Sequence, residues 1–182
     1  MRTPPPDDLV ALLEQDHREI AQRFEELEAA GESLRAELFW KLTDELVRHE
    51  VAEEMVVYPA LREVPGGDDI ARVRLAEQGV AEEDLARIEK LDPLTAEFTE
   101  ALAKLKAEVL QHANEEEVQA LPFLAGSASS VQMLELGRRY TAAKLSALSH
   151  PHPTVPGGSP ARKIVGPVAA LYDRIRDAAG LV

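Results

Sequence analysis

Residues 46–53 read Leu46-Val47-Arg48-His49-Glu50-Val51-Ala52-Glu53. Around them Leu38, Leu42, Leu46, Val56 and Ala60 recur at the three- and four-residue spacing of one helix face, and His49 and Glu53 fall on that stripe. A helix that turns an imidazole and a carboxylate into its apolar face is unusual, because buried ionisable groups are costly unless paired or bound to metal. The pattern recurs downstream. His112-Ala113-Asn114-Glu115-Glu116 has the same H-x-x-x-E spacing, on a stripe made by Phe98, Leu102, Leu105, Val109 and Ala120. Near the N-terminus His17 sits in the middle of Val10, Leu13, Ile20, Phe24 and Leu27. Between the two motifs, Gln78 and Glu82 interrupt a stripe of Leu75, Leu85 and Ile88.

These stripes predict four long helices. The first starts near Asp7 as N-cap, after Pro4-Pro5-Pro6, and ends near Gly31. The second starts after Ser33 and runs to about Glu63, with Pro59 expected to kink or end it. After Val64-Pro65-Gly66-Gly67 the third runs from Asp68/Asp69 to Leu91, and Asp92-Pro93 starts the fourth, which reaches Leu121-Pro122. Short connections between long helices imply antiparallel neighbours. The expected fold is all-α, an up-down-up-down four-helix bundle over residues 1–128. Residues 129–182 then supply extra C-terminal helices: one over Val131 to Leu148, a Pro/Gly-rich linker from His150 to Pro160, and a short amphipathic segment, Val165 to Ala179, packing back on the bundle. No internal repeat is evident beyond the shared motif.

Counted from the connecting turns, His17, His49, Glu53, Gln78 and Glu82 fall within a turn or two of one level, and His112 agrees least well. Four antiparallel helices would bring them to one central site. Spacing i,i+4 places imidazole and carboxylate about one turn apart on one face, which suits two ligands of one metal or a carboxylate bridging two. Imidazole and carboxylate without sulfur suit iron or manganese, and zinc less well. Other features carry less. Glu14-x-x-His17 is half of a paired E-x-x-H site, but its second half is missing, since residue 46 is Leu and residue 109 is Val. His150 and His152 are flanked by prolines and read as linker. In Glu115-Glu116-Glu117 only Glu116 is expected to point inward. Trp40 and Tyr58 read as packing residues, with Tyr58 a secondary candidate for a phenol near the site.

Composition narrows the function. The 182 residues carry a net charge of −13, which argues against nucleic acid and anionic membrane as partners. The lone Arg138-Arg139 pair is no basic patch. The absence of cysteine excludes disulfides, thiolate catalysis, iron–sulfur clusters and Cys-based zinc sites. No apolar run approaches the roughly 18 residues of a membrane span. The start lacks the apolar core of a secretory signal, so a cytoplasmic location is expected.

The order His17, His49-x-x-x-Glu53, a helix-three position, His112-x-x-x-Glu116 resembles the hemerythrin HHE cation-binding domain. Asp16-His17-Arg18-Glu19-Ile20, Tyr58-Pro59 and Glu77 before residue 78 agree with it. The resemblance covers about residues 8 to 125. It implies a non-haem di-iron centre, two irons joined by an oxo or hydroxo bridge, with manganese and zinc ranked behind iron. It implies His17, His49 and His112 as imidazole ligands and Glu53 and Glu116 as bridging carboxylates. Family members bind dioxygen, sense oxygen or iron, or handle peroxide and nitric oxide, so the implied partner is a small diatomic or peroxide ligand. A peroxidase-like, catalase-like or nitric-oxide-consuming activity would follow, in a monomer or homodimer. One position departs: where the family usually has His on helix three, this chain has Gln78, with Glu82 one turn on as a substitute oxygen donor. Anionic oxygen in place of nitrogen should favour the ferric state, which weighs against reversible oxygen carriage. The alternative reading is a metal-poor or metal-free helical interaction or sensor module.

Overall fold

The computed structural model describes residues 7–147. The expectations for Pro4–Pro6, for Leu148, for the linker with His150 and His152, and for the segment Val165 to Ala179 lie outside the described residues. Within them the chain is a bundle of four long antiparallel helical rods with a fifth helix added. Helix α1 (Leu9–Glu28) starts at Asp8, whose side chain accepts the Val10 N–H, one residue later than expected. Helix α2 (Glu32–Ala52) follows Gly31, and α4 (Gly67–Ile88) follows Gly66, whose φ of 89° only glycine adopts without strain. Helix α5 (Ala96–Glu115) is capped by Thr95, not by Asp92; the Asp92 side chain instead accepts the Leu94 N–H in the turn before it. Helix α7 (Ser130–Ser146) begins with a capping box between Ser129 and Gln132.

Pro59 neither ends nor sharply breaks its rod. After α2 the chain makes one π-helical turn (Glu53–Val57) and continues as the short helix α3 (Tyr58–Arg62). The rod of α5 does the same, through a π turn (Glu116–Ala120) into α6 (Leu121–Ser127). Both turns start on the motif glutamate, and both are followed by proline one residue into the next helix, Pro59 and Pro122. Proline has no N–H to give and its ring crowds the carbonyl four residues back. The residue before it bonds five residues back instead: Tyr58 N–H to Glu53 O, and Leu121 N–H to Glu116 O. The proline is therefore part of an H-x-x-x-E-x-x-x-x-x-P repeat shared by the two rods, a correction to the expectation of no repeat beyond the motif.

Packing divides the interior in two. One apolar cluster, with Phe24, Leu27, Phe39, Leu42, Leu85, Phe98 and Leu105, fills one end of the bundle. A second, with Leu9, Leu13, Val57, Leu61, Leu121, Leu124, Met133 and Leu136, fills the other. The inward polar residues form the layer between them. Helix α7 packs on α1 and α2 and supplies part of the second cluster.

One close approach at the start of α4 depends on glycine. A Cβ on Gly67 would lie 2.0 Å from the Leu61 carbonyl oxygen, whereas one on Gly79, within α4, would meet nothing within 4 Å. Gly67→Ala is therefore expected to destabilise the protein by about 1–3 kcal/mol. Gly79→Ala should stabilise it by up to about 1 kcal/mol, through helix propensity alone. Urea denaturation of the two variants would check both signs.

Candidate metal centre

Helices α1, α2, α4 and α5 each present polar side chains to the layer between the two apolar clusters. Glu53 and Glu116 are fully buried at its centre, with His17, His49 and Gln78 also buried around them. The rods place them there because each H-x-x-x-E pair shares a helix face, and because the π turns begin at the glutamates. In an α-helix, residues five apart point about 140° away from each other. The wider turn brings Tyr58 back to the side of Glu53, and its hydroxyl lies 3.3 Å from Glu53 Oε2 and 3.0 Å from Glu116 Oε1.

Each carboxylate divides its two oxygens between different imidazoles. Glu53 Oε1 lies 3.1 Å from His49 Nε2 and 4.0 Å from His17 Nε2, while Glu53 Oε2 faces His112 Nε2 at 4.0 Å. Glu116 Oε2 lies 3.5 Å from His17 Nε2, and Glu116 Oε1 lies 3.6 Å from His112 Nε2. All three rings aim Nε2 inward and use Nδ1 outward. His17 Nδ1–H donates to Glu117 at 2.9 Å, and His112 Nδ1–H to Glu77 at 3.0 Å. His49 Nδ1–H donates to the Tyr140 hydroxyl at 2.8 Å. This is the arrangement of metal-ligating histidines, whose second nitrogen is held by an acceptor that fixes ring and tautomer.

Three inward atoms, His17 Nε2, Glu53 Oε1 and Glu116 Oε2, are buried without a hydrogen-bond partner. With His49 they form a group whose ligand atoms all lie within 4.8 Å of one another. Buried polar atoms without partners are rare, and a cation among them would satisfy all of these at once. The donor set, imidazole nitrogen and carboxylate oxygen, fits a first-row metal. On the His112 side the oxygens are already engaged by Tyr58 and by Gln78, whose amide donates to Glu53 Oε2 at 2.6 Å. Gln78 is thus brought into the site, while its own oxygen is left without a partner. Glu82 is only half-buried, and its charge acts on Glu50 and Glu54.

Several residues of the site were not expected from the sequence. Glu117, assigned to the solvated face, holds His17; Glu115 pairs with the buried Arg74, which also holds Glu77 at 2.9 Å. Within Glu115-Glu116-Glu117 only Glu116 is buried, as expected, but both neighbours act on the site from its rim. Tyr58, by contrast, reads from the sequence as a secondary candidate for a phenol near the site, and it is both a polar member of the site and a packing residue. Glu50 is buried, has an unpartnered oxygen, and with His17, His49, Gln78 and His112 lines a cavity of about 20 Å³. Tyr140 comes from α7, beyond the four-helix bundle. Glu50 and Glu117 adjoin motif residues, which was the one signal available for them; nothing local marked Tyr140.

The charges are strongly coupled. Burial opposes a charge on His17, but the carboxylates of Glu116 and Glu53 outweigh it and raise the ring to about 10. Burial likewise opposes a charge on His49, and Glu53 and Asp16 overcome it, raising the ring to about 9. Burial pushes Glu53 up, yet His49 and His17 hold it well below the carboxylate range. Burial and the Glu53 charge keep Glu116 raised. Burial, reinforced by the charges of Glu82, Glu53 and Glu54, pushes the Glu50 carboxyl well up.

Comparison with known proteins agrees with this layout. The sequence model described as "Hemerythrin HHE cation binding domain" matches residues 8–124. An uncharacterized hemerythrin-like protein of Schizosaccharomyces pombe is 28% identical over 169 residues, 89% of this chain and 81% of that protein. A DNA nickase of Nostoc sp. is 27% identical over 134 residues, 73% of this chain but 38% of the nickase. The crystal structure of a hemerythrin HHE cation binding domain-containing protein from Mycobacterium kansasii superposes with a TM-score of 0.67. It is 23% identical, over 78% of this chain and 90% of that one, and so supports the fold.

The raised imidazoles give the metal-free protein a defined pH dependence. Groups with folded pKa values of about 10 and about 9, against 6.5 in the unfolded chain, contribute stability in full below about pH 6.5. That contribution is lost as pH rises through 9 and 10. In chelator-stripped protein the thermal midpoint should fall between pH 7 and 10. A His17→Gln, His49→Gln double variant should flatten that fall.

Proposed function

Since this chain belongs to the hemerythrin HHE cation-binding domain family, we propose that it holds two irons between its helices and binds or processes dioxygen, peroxide or nitric oxide there. The observation that carries this reading is the division of oxygens. Glu53 and Glu116 each offer one oxygen toward His17 and the other toward His112, as carboxylates bridging two metal positions would. His17 and His49 would serve one position and His112 the other. Gln78, in contact with Glu53, is better placed than Glu82 to complete the second. Iron supplies a redox change and an open coordination position for a small ligand.

The surrounding residues limit what can enter and where protons reside. The cavity of about 20 Å³ has room for about one water-sized molecule, a scale that suits a small ligand better than an extended substrate. Burial pushes the Glu50 carboxyl well above the ordinary carboxylate range, which favours a proton on the cavity wall. Tyr58 holds a second, donated between Glu53 and Glu116. Three histidines and an anionic oxygen set favour the ferric state, so peroxide or nitric oxide processing, or sensing, is favoured over reversible oxygen carriage. The charge of −13 does not favour carrying DNA nicking over from the Nostoc relative.

Protein from iron-supplemented culture should contain about two irons per chain. Its visible charge-transfer absorption should disappear in His49→Ala. Iron-free wild-type protein, with His49→Ala equally stable, would instead leave the metal-free interaction module. If the protein consumes peroxide, Tyr58→Phe should retain iron and lose about a hundredfold in that rate, the scale of a lost proton donor.

A further inference from the structure

The three imidazoles are not held alike. His17 and His112 donate to Glu117 and Glu77, carboxylates about one-third exposed at 38% and 34%. His49 donates to a neutral phenol, Tyr140, almost wholly buried. That phenol in turn donates to Asp16 Oδ2 at 2.6 Å. Asp16 Oδ1 accepts from Lys144 Nζ at 2.7 Å, and Lys144 also bonds Glu45 at 2.6 Å. The chain of contacts thus crosses α2, α7 and α1 and returns to α2. Gly137 makes it reachable. It lies one turn before Tyr140, and a Cβ there would be 2.2 Å from the Asp7 carbonyl oxygen, so glycine lets α7 close on the start of α1. At its outer end, Asp16, Glu45, Tyr140 and Lys144 line an open groove of about 320 Å³. Asp16, Glu19 and Glu45 lie close enough to hold a cation, but the Lys144 ammonium already bonds two of them.

We propose that Tyr140 is a positioning residue for His49. Its hydroxyl, polarised by Asp16, fixes the ring with Nε2 inward and increases its donor strength, so that α7, a helix outside the four-helix bundle, sets how tightly the centre holds metal and in which oxidation state. The physical reason is that an acceptor on the outer nitrogen raises the basicity of a ligating imidazole. A phenol alone does so weakly, and a phenol whose proton is drawn toward a carboxylate does so more strongly. Lys144 moderates the effect by drawing charge from Asp16. Removing the hydroxyl takes away the acceptor at 2.8 Å and leaves Asp16 Oδ2, at 3.7 Å, as the nearest carboxylate oxygen, beyond hydrogen-bond reach, so the ring is held less firmly.

This inference rests on the iron reading above, and its test separates the two. Iron(II) affinity is measured by chelator competition, and the midpoint potential by redox titration, in wild-type protein, Tyr140→Phe and Lys144→Met. Tyr140→Phe should lose tenfold to a hundredfold in affinity and shift the potential upward. Lys144→Met, which strengthens the pull of Asp16, should shift it downward; a merely structural role for α7 would not give opposite signs. Should Tyr140→Phe fail to fold, as judged by thermal unfolding of stripped protein, Asp16→Asn replaces it with the same expected direction. Wild-type protein that takes up no iron overturns the iron reading and this inference with it. Wild-type uptake with Tyr140→Phe unchanged in affinity and potential, or both variants shifting the same way, overturns this inference alone.

Discussion

Two carboxylates buried face to face are the constraint around which the rest of the molecule is arranged. Glu53 and Glu116 have no contact with solvent, and each would repel the other in its ionised form. Such a pair persists only if positive charge surrounds it. Three imidazoles point Nε2 at it, a phenol donates to it, and an amide donates to one of its members. Without metal, raised imidazoles supply the countercharge, as the values of about 10 and about 9 for His17 and His49 indicate. Ordinary core residues would be cheaper, so the polar layer makes sense as a binding site rather than as a source of stability.

The two apolar clusters follow from that layer. Neither could extend through it, so each closes one end of the bundle and together they clamp the polar residues from both sides. The prolines serve the same end. With a five-residue hydrogen bond after each motif glutamate, they put one wider turn into the rod within the site itself. In the first rod this brings Tyr58 onto the carboxylates. In the second the equivalent residue is Leu121, which packs in the apolar cluster instead. The repeat is therefore symmetric in backbone and asymmetric in chemistry.

The outer layer is asymmetric too. His17 and His112 are held by glutamates about one-third exposed, one of them steadied by Arg74, whereas His49 is held by a buried phenol from an added helix. The supports of the three rings thus come from different elements, α4, α7 and the π turn after α5. The HHE bundle fixes which atoms converge. The elements around it fix how firmly each is held.

Much of this was legible in one dimension. The helical stripes, the inward placement of His17, His49, Glu53, His112 and Glu116, and the antiparallel order follow from periodicities of three and four residues and from short connections, which are local properties. Gln78 was legible as an inward residue for the same reason. Height was less so: His112 looked out of level because a count from the turns ignores offsets between packed helices. Pro59 was read as a kink or an end because its missing hydrogen bond is local, while the π turn that absorbs it depends on the packing of the continuing rod. Glu117 is exposed, as its place in the acidic run predicts, yet its side chain reaches back to His17, a contact that depends on how distant helices pack. Tyr140 and Asp16, 124 residues apart, could not be paired at all. The sequence determined which residues face inward, because a helix repeats every few residues; only the tertiary structure decided which groups hold them there, because that depends on the register and close approach of helices distant in the chain.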